Sequence, residues 1–129
     1  MNAHSKLDVD RWLAQAAADI DTAHLLIGAN RAYAAVLFAQ QAAEKALKAL
    51  LIAQTNDAPL KIHDLVGLGD RVRVPAQLAE QLEGLSSTYL IARYPDASES
   101  IPADEFSTDD AVKFLAIAEE VMTWVKRQI

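Results

Sequence analysis

Cysteine is absent from the 129 residues, which excludes disulfides, thiolate metal ligands and a cysteine nucleophile. No stretch of about 18 uncharged apolar residues occurs, and no apolar run follows the lysine of MNAHSKLDVDRW, so neither a membrane span nor a secretory leader is read and a soluble cytoplasmic protein is expected. Glycine and proline number four each and fall mostly at breaks between apolar stripes, while β-branched runs are scarce. HExxH, paired ExxH, the P-loop, GxGxxG and GxSxG are all missing, so no metal and no cofactor is expected. The net charge of −6 speaks against general duplex-DNA binding, which is driven by neutralising phosphates. It leaves room for a local basic patch.

Alanine and leucine dominate what remains, in stripes of helical period. A first helix is predicted from Asp8 or Asp10, either of which can cap free N–H groups, with Trp12, Leu13, Ala16, Ile20, Ala23 and Ile27 on one face and an end at Gly28–Asn30. The second runs from Ala32 to Ala53 and is closed by TNDAP with Pro59. A short helix starts near Asp64. The next begins at Pro75, carries Leu78, Leu82, Leu85 and Tyr89 on one face, and stops at Tyr94 because Pro95 disfavours the α region before it. After the loop DASESIPADEF, Ser107 caps a last helix with Asp109 and Asp110 in its first turn and a stripe of Ala111, Leu115, Ala118, Met122, Val125 and Ile129. The pattern predicts an all-α fold: an antiparallel up-and-down bundle of four long helices plus one short connecting helix, in a single domain spanning residues 1–129.

The stretch FAQQAAEKALKALL, residues 38–51, places Gln40, Gln41, Glu44, Lys45 and Lys48 in one sector about 140° wide, with the rest of the circumference apolar. Such a sector can be a solvated face carrying a Glu44–Lys48 i,i+4 pair. Ala34, Leu37, Phe38 and Ile52 lie along the same sector, however, so the polar group is an island of the kind that suits a cleft or a subunit interface. Arg93 reads two ways as well. It is a cation at a helix C-terminus, favourable to the dipole; it also follows Tyr89 by one turn, which sets a guanidinium beside a phenol, a pair able to hold a phosphate or stack on a base. His63 is either a group at a helix start or a candidate acid, base or phosphate ligand. Asp19 can pair with Lys45 or Arg93.

Arg11-Trp12-x6-Asp19, AQQAAEKALKALL, KIHDL and Tyr89-x3-Arg93-Tyr94-Pro95 occur in this order along the chain, and together they resemble HEPN domains, small helical domains of prokaryotes often encoded beside a minimal nucleotidyltransferase. The resemblance implies a bundle of four or five helices, usually dimeric, with a role in RNA or nucleotide transactions that includes toxin–antitoxin and defence modules. On the family's recurrent polar positions stand Gln41, Glu44, Lys45, Lys48, His63, Tyr89, Arg93 and Tyr94. Arg93 and Lys48 would contact phosphate, Tyr89 or Tyr94 would stack on a base or close the pocket, and Glu44 would orient Lys48 or Arg93. Catalytic members carry a histidine four to six residues after the arginine. Here Tyr94, Pro95, Asp96, Ala97, Ser98, Glu99 and Ser100 follow Arg93, and none is histidine. The resemblance is therefore to the Arg-Tyr-Pro branch without that ribonuclease motif.

The expectation is a nucleotide- or RNA-binding module, with no catalytic residue assigned, that acts with a separately encoded minimal nucleotidyltransferase. The alternatives are a ribonuclease toxin using Arg93 and His63, or a structural dimerisation partner without ligand. A homodimer is expected because the second helix is apolar around most of its circumference.

Overall fold

The computed structural model describes residues 3–57 and 61–129, with side chains from Ser5 onward. Among these residues it is all-α and contains no strand. The helices are α1 (Ala3–Gly28), α2 (Ala32–Thr55), α3 (Leu65–Val72), α4 (Ala76–Ser86), α5 (Thr88–Arg93), α6 (Pro102–Glu105) and α7 (Thr108–Gln128). α2 is the central element and packs against α1, α7, α3, α5 and α6. Its alanines explain this. Ala35, Ala39, Ala42, Ala43 and Ala46 are fully buried, and side chains this small let neighbouring helices approach its backbone closely. Leu47, Leu50, Leu65, Leu68, Leu82, Leu85, Leu115 and Val121 fill the core between them.

α1 starts at Ala3, well before the expected Asp8 or Asp10. The cause is packing: Ser5 is buried, and Val9 joins Ala49 and Ile52 in a second small core under Trp12 and Leu13. Burial of an apolar face stabilises the additional turns. α1 ends where Asn30 takes φ 60°, and α2 ends where Asn56 takes φ 59° and donates its N–H to the Ile52 carbonyl. Pro59, predicted to close α2, lies outside the described residues. Asp64 caps α3 as expected, accepting from the N–H groups of Val66 and Gly67 at 3.1 and 3.3 Å. Ser107 caps α7 through a reciprocal pair with Asp110.

The single helix expected from Pro75 to Tyr94 is two, α4 and α5, and Pro102–Glu105 forms a short helix inside the expected loop. At the break, the Ser87 hydroxyl donates to the Gly84 carbonyl and the Thr88 hydroxyl to the Leu85 carbonyl, both at 2.7 Å, so side chains take up acceptors that the helix ladder leaves free. Tyr89 is therefore half-buried beside α2 and no longer continues the buried face of Leu78, Leu82 and Leu85. Ile129 lies beyond α7 and is 49% exposed.

The expectation of a homodimer rests on the apolar circumference of α2, most of which is buried within one chain while Tyr33, Ala34, Leu37, Phe38 and Ala53 are half-buried.

Two glycines show how tightly the smaller helices are packed. A Cβ on Gly69 would lie 2.9 Å from Leu82 Cδ1 and 3.1 Å from Val74 Cγ2, whereas one on Gly84 meets nothing within 4 Å. Gly69→Ala is expected to destabilise by about 1 kcal/mol or more through overpacking. Gly84→Ala should stabilise by about 0.5–1 kcal/mol, since alanine loses less backbone entropy in a helix. Urea denaturation of both variants checks the opposite signs.

Candidate functional site

The polar island of α2 is a seam with two sides. On the α1 side, Lys45 Nζ donates to Asp19 Oδ2 at 2.5 Å and reaches Gln41 Oε1 at 3.5 Å, while Gln15 Nε2 donates to Asp19 Oδ1 at 3.0 Å. Asp19 is buried, so this pairing is what makes its charge tolerable. Of the two partners open to Asp19, the structure selects Lys45.

In the middle, Lys48 Nζ donates to Glu44 Oε2 at 3.0 Å. The Lys48 side chain is 5% exposed and Glu44 14%. The Lys48 ammonium also lies 5.7 Å from the centre of the Trp12 ring, within cation–π range. Glu44 Oε2 has a second partner, His63 Nδ1 at 3.0 Å. The imidazole itself is 63% exposed. One carboxylate thus answers a buried ammonium and orients a histidine.

On the far side stands Arg93, in the last turn of α5. Its Nη1 donates to Gln40 Oε1 at 2.8 Å and to the Tyr89 carbonyl at 3.0 Å. The guanidinium carbon sits 3.8 Å from the centre of the Tyr89 ring, a stacked geometry. Burial draws its pKa below the ordinary arginine value, and the nearby Tyr89, Glu44 and Tyr94 push it back up. It remains a cation. Among the described residues it forms no ion pair, and its Nη2 and Nε donors have no partner. A cleft of about 250 Å³ next to it is lined by Gln40, His63, Asp64, Ser86 and Tyr89.

Of the residues singled out by sequence, Glu44, Lys48 and His63 therefore form one network. Tyr89 and Arg93 form a stacked pair tied to α2 through Gln40. Lys45 and Gln41 belong with Asp19 on the opposite side. Tyr94 is exposed in extended backbone at φ −123°, ψ 131°, as a residue before proline should be. Lys48 was expected to contact phosphate together with Arg93, and Glu44 to orient one or the other of them; Lys48 is the residue that Glu44 pairs with. Gln40, missing from the expected site, is the side chain that fixes Arg93. Its clue is position, on the same sector as Glu44 one turn earlier and 1% exposed, where a buried amide needs a partner. No group of three or more histidine, aspartate or glutamate side chains able to hold a metal occurs among the described residues. None of their helices is long and apolar enough to cross a membrane.

A bundle built on a central alanine-rich helix, with a charged seam facing a helix-end arginine, defines a class of small helical domain. A model of the HEPN domain matches residues 9–128, and the chain belongs to that family. The chain is similar to TT1696 from Thermus thermophilus, whose crystal structure it matches with a TM-score of 0.86 and 30% identity over 94% of this chain and 98% of the other. It is also similar to ST0689, described as an archaeal HEPN homologue, with a TM-score of 0.80 and 30% identity over 93% of this chain and 96% of that one. No curated protein matches the sequence at a significant level. Family membership supports a module of nucleotide or RNA transactions.

Proposed function

We propose that this chain is a non-catalytic binding module for a nucleotide or an RNA end, acting with a separately encoded minimal nucleotidyltransferase in a toxin–antitoxin or defence setting. The observation that carries the binding function is Arg93: a partly buried guanidinium, stacked on Tyr89, with two donors free and no carboxylate partner among the described residues. Guanidinium donors on one edge match the oxygens of a phosphate, and charge-assisted bonds of this kind strengthen where water is partly excluded. The adjoining cleft, about 250 Å³, lies below the common range for whole drug-sized ligands. That size suits part of a nucleotide.

Titration of the protein against a labelled short single-stranded RNA, followed by anisotropy, tests this. Binding is expected to weaken with salt, with a logarithmic slope between about −0.7 and −1.4, as for one or two neutralised phosphates. No binding at millimolar protein would remove the proposal.

One observation favours the ribonuclease alternative: Glu44 holds His63 Nδ1 while the ring stays open to solvent, the arrangement of an oriented general base. The proposal expects metal-independent RNA cleavage to be absent or very weak. Robust cleavage lost in His63→Ala would replace binding by catalysis.

The module is proposed to act as a homodimer through Leu90, Tyr94 and Ile101, large apolar side chains left exposed on and after α5. Light scattering should give twice the chain mass, with Leu90→Asp reducing it to one.

A further inference from the structure

We infer that the cleft between α1 and α2 at Arg11, Trp12, Gln15 and Lys45 is a base-stacking platform that takes one base of a single-stranded RNA whose phosphate is held at Arg93. The inference rests on the reading of Arg93 as a phosphate contact and extends it from a mononucleotide to a strand. The cleft measures about 330 Å³, at the small end of ligand pockets, and admits a base more readily than a folded surface. Trp12 is half-buried and packed on Val9, Ala49 and Ile52, so its ring is held in place before any ligand arrives. Lys48 over the indole fixes it further. The charges of Lys45 and Lys48 are answered by Asp19 and Glu44. Arg11 is exposed, without an ion pair among the described residues, and is left to meet a phosphate.

The two sites lie on one seam. Arg93 is held by Gln40 on one flank of α2, and Trp12 lies beside Lys48 on the α1 flank; along the helix axis alone, the eight residues from Gln40 to Lys48 set these anchors about 12 Å apart. At a stacked rise of about 3.4 Å per nucleotide, that span is roughly three nucleotides. A mononucleotide on Arg93 does not reach Trp12, while a short strand does. Duplex is disfavoured, because a recessed indole cannot reach a paired base and the net charge of −6 opposes a double set of phosphates. Stacking on an indole is tolerant of sequence, since every base has a π-face.

The test uses the full chain carrying Trp124→Phe, which removes one of the two tryptophans and leaves Trp12 as the fluorescent reporter. A short oligouridylate should quench Trp12 along the same isotherm that anisotropy gives, and uridine monophosphate should bind without quenching. Trp12→Leu, which keeps an apolar side chain on the small core, should weaken oligouridylate at least about fivefold, the low end for base–aromatic stacking, and leave the mononucleotide unchanged. Arg11→Ala, at an exposed position, should act in the same direction without touching the fold. Oligouridylate that binds without quenching, and equally well to both variants, overturns the platform while leaving Arg93 as the phosphate contact. Quenching by the mononucleotide overturns the strand geometry, and quenching by an acidic peptide in place of RNA makes the cleft a protein surface. If neither RNA nor mononucleotide binds, the reading of Arg93 falls, and the platform with it.

Discussion

Glu44→Ala is expected to lower the unfolding free energy by about 3 kcal/mol, the low end for removing one partner of a buried ion pair. That corresponds to a loss of roughly 10 °C in Tm for a domain of this size. The substitution leaves the Lys48 ammonium without its acceptor in a site where the side chain is 5% exposed. The Trp12 ring offers partial compensation from 5.7 Å, and for that reason the low end of the range is expected. Most of the cost should come from the stranded charge rather than the lost contact. Lys48→Met in the same background should therefore restore most of the stability, since an apolar side chain of similar length needs no partner. Urea denaturation of wild type, both single variants and the double variant completes the cycle. A Glu44→Ala protein within about 0.5 kcal/mol of wild type would mean that water reaches Lys48, and the pair would then be no more than a surface bridge.

The same pair shows where sequence reasoning reached and where it stopped. Helical period alone places Glu44 and Lys48 on one sector and makes that sector an island, because apolar residues flank it along α2. Local chemistry likewise fixes the starts of α3 and α7, where Asp64 and Ser107 have N–H groups two and three residues ahead to accept from. Tertiary effects are another matter. The break between α4 and α5 falls at serine and threonine, both compatible with a helix, and only the packing of α5 on α2 decides against continuity. The early start of α1 depends on Val9 meeting Ala49 and Ile52, contacts 40 and more residues apart in the chain. The division of the island follows the same rule. Whether Asp19 pairs with Lys45 or with Arg93 depends on the angular position of α1 and α5 around α2, and periodicity within α2 carries no information about that.

Arg93→Ala is expected to weaken binding of short single-stranded RNA about thirtyfold, or about 2 kcal/mol, within the range for a hydrogen bond to a charged group. The free Nη2 and Nε donors supply the geometry for such a contact, and stacking on Tyr89 at 3.8 Å aims them. The alanine variant has a second effect that must be separated from the first. It removes the partner of Gln40 Oε1, a side chain 1% exposed, and an unsatisfied buried acceptor costs about 1–3 kcal/mol. Some loss of stability is therefore expected even where binding is the function. Arg93→Lys separates the two, because an ammonium can still donate to Gln40 while it offers a phosphate a point charge in place of a fork. The lysine variant should keep most of the stability and recover only part of the affinity. Circular dichroism at the titration temperature confirms that both variants are folded when binding is measured. Two results would sink the reading: Arg93→Ala binding RNA as tightly as wild type, or wild type binding no RNA while Arg93→Ala loses only stability. In the second case Arg93 is the partner of Gln40 and nothing more, and the seam along α2 is a structural network.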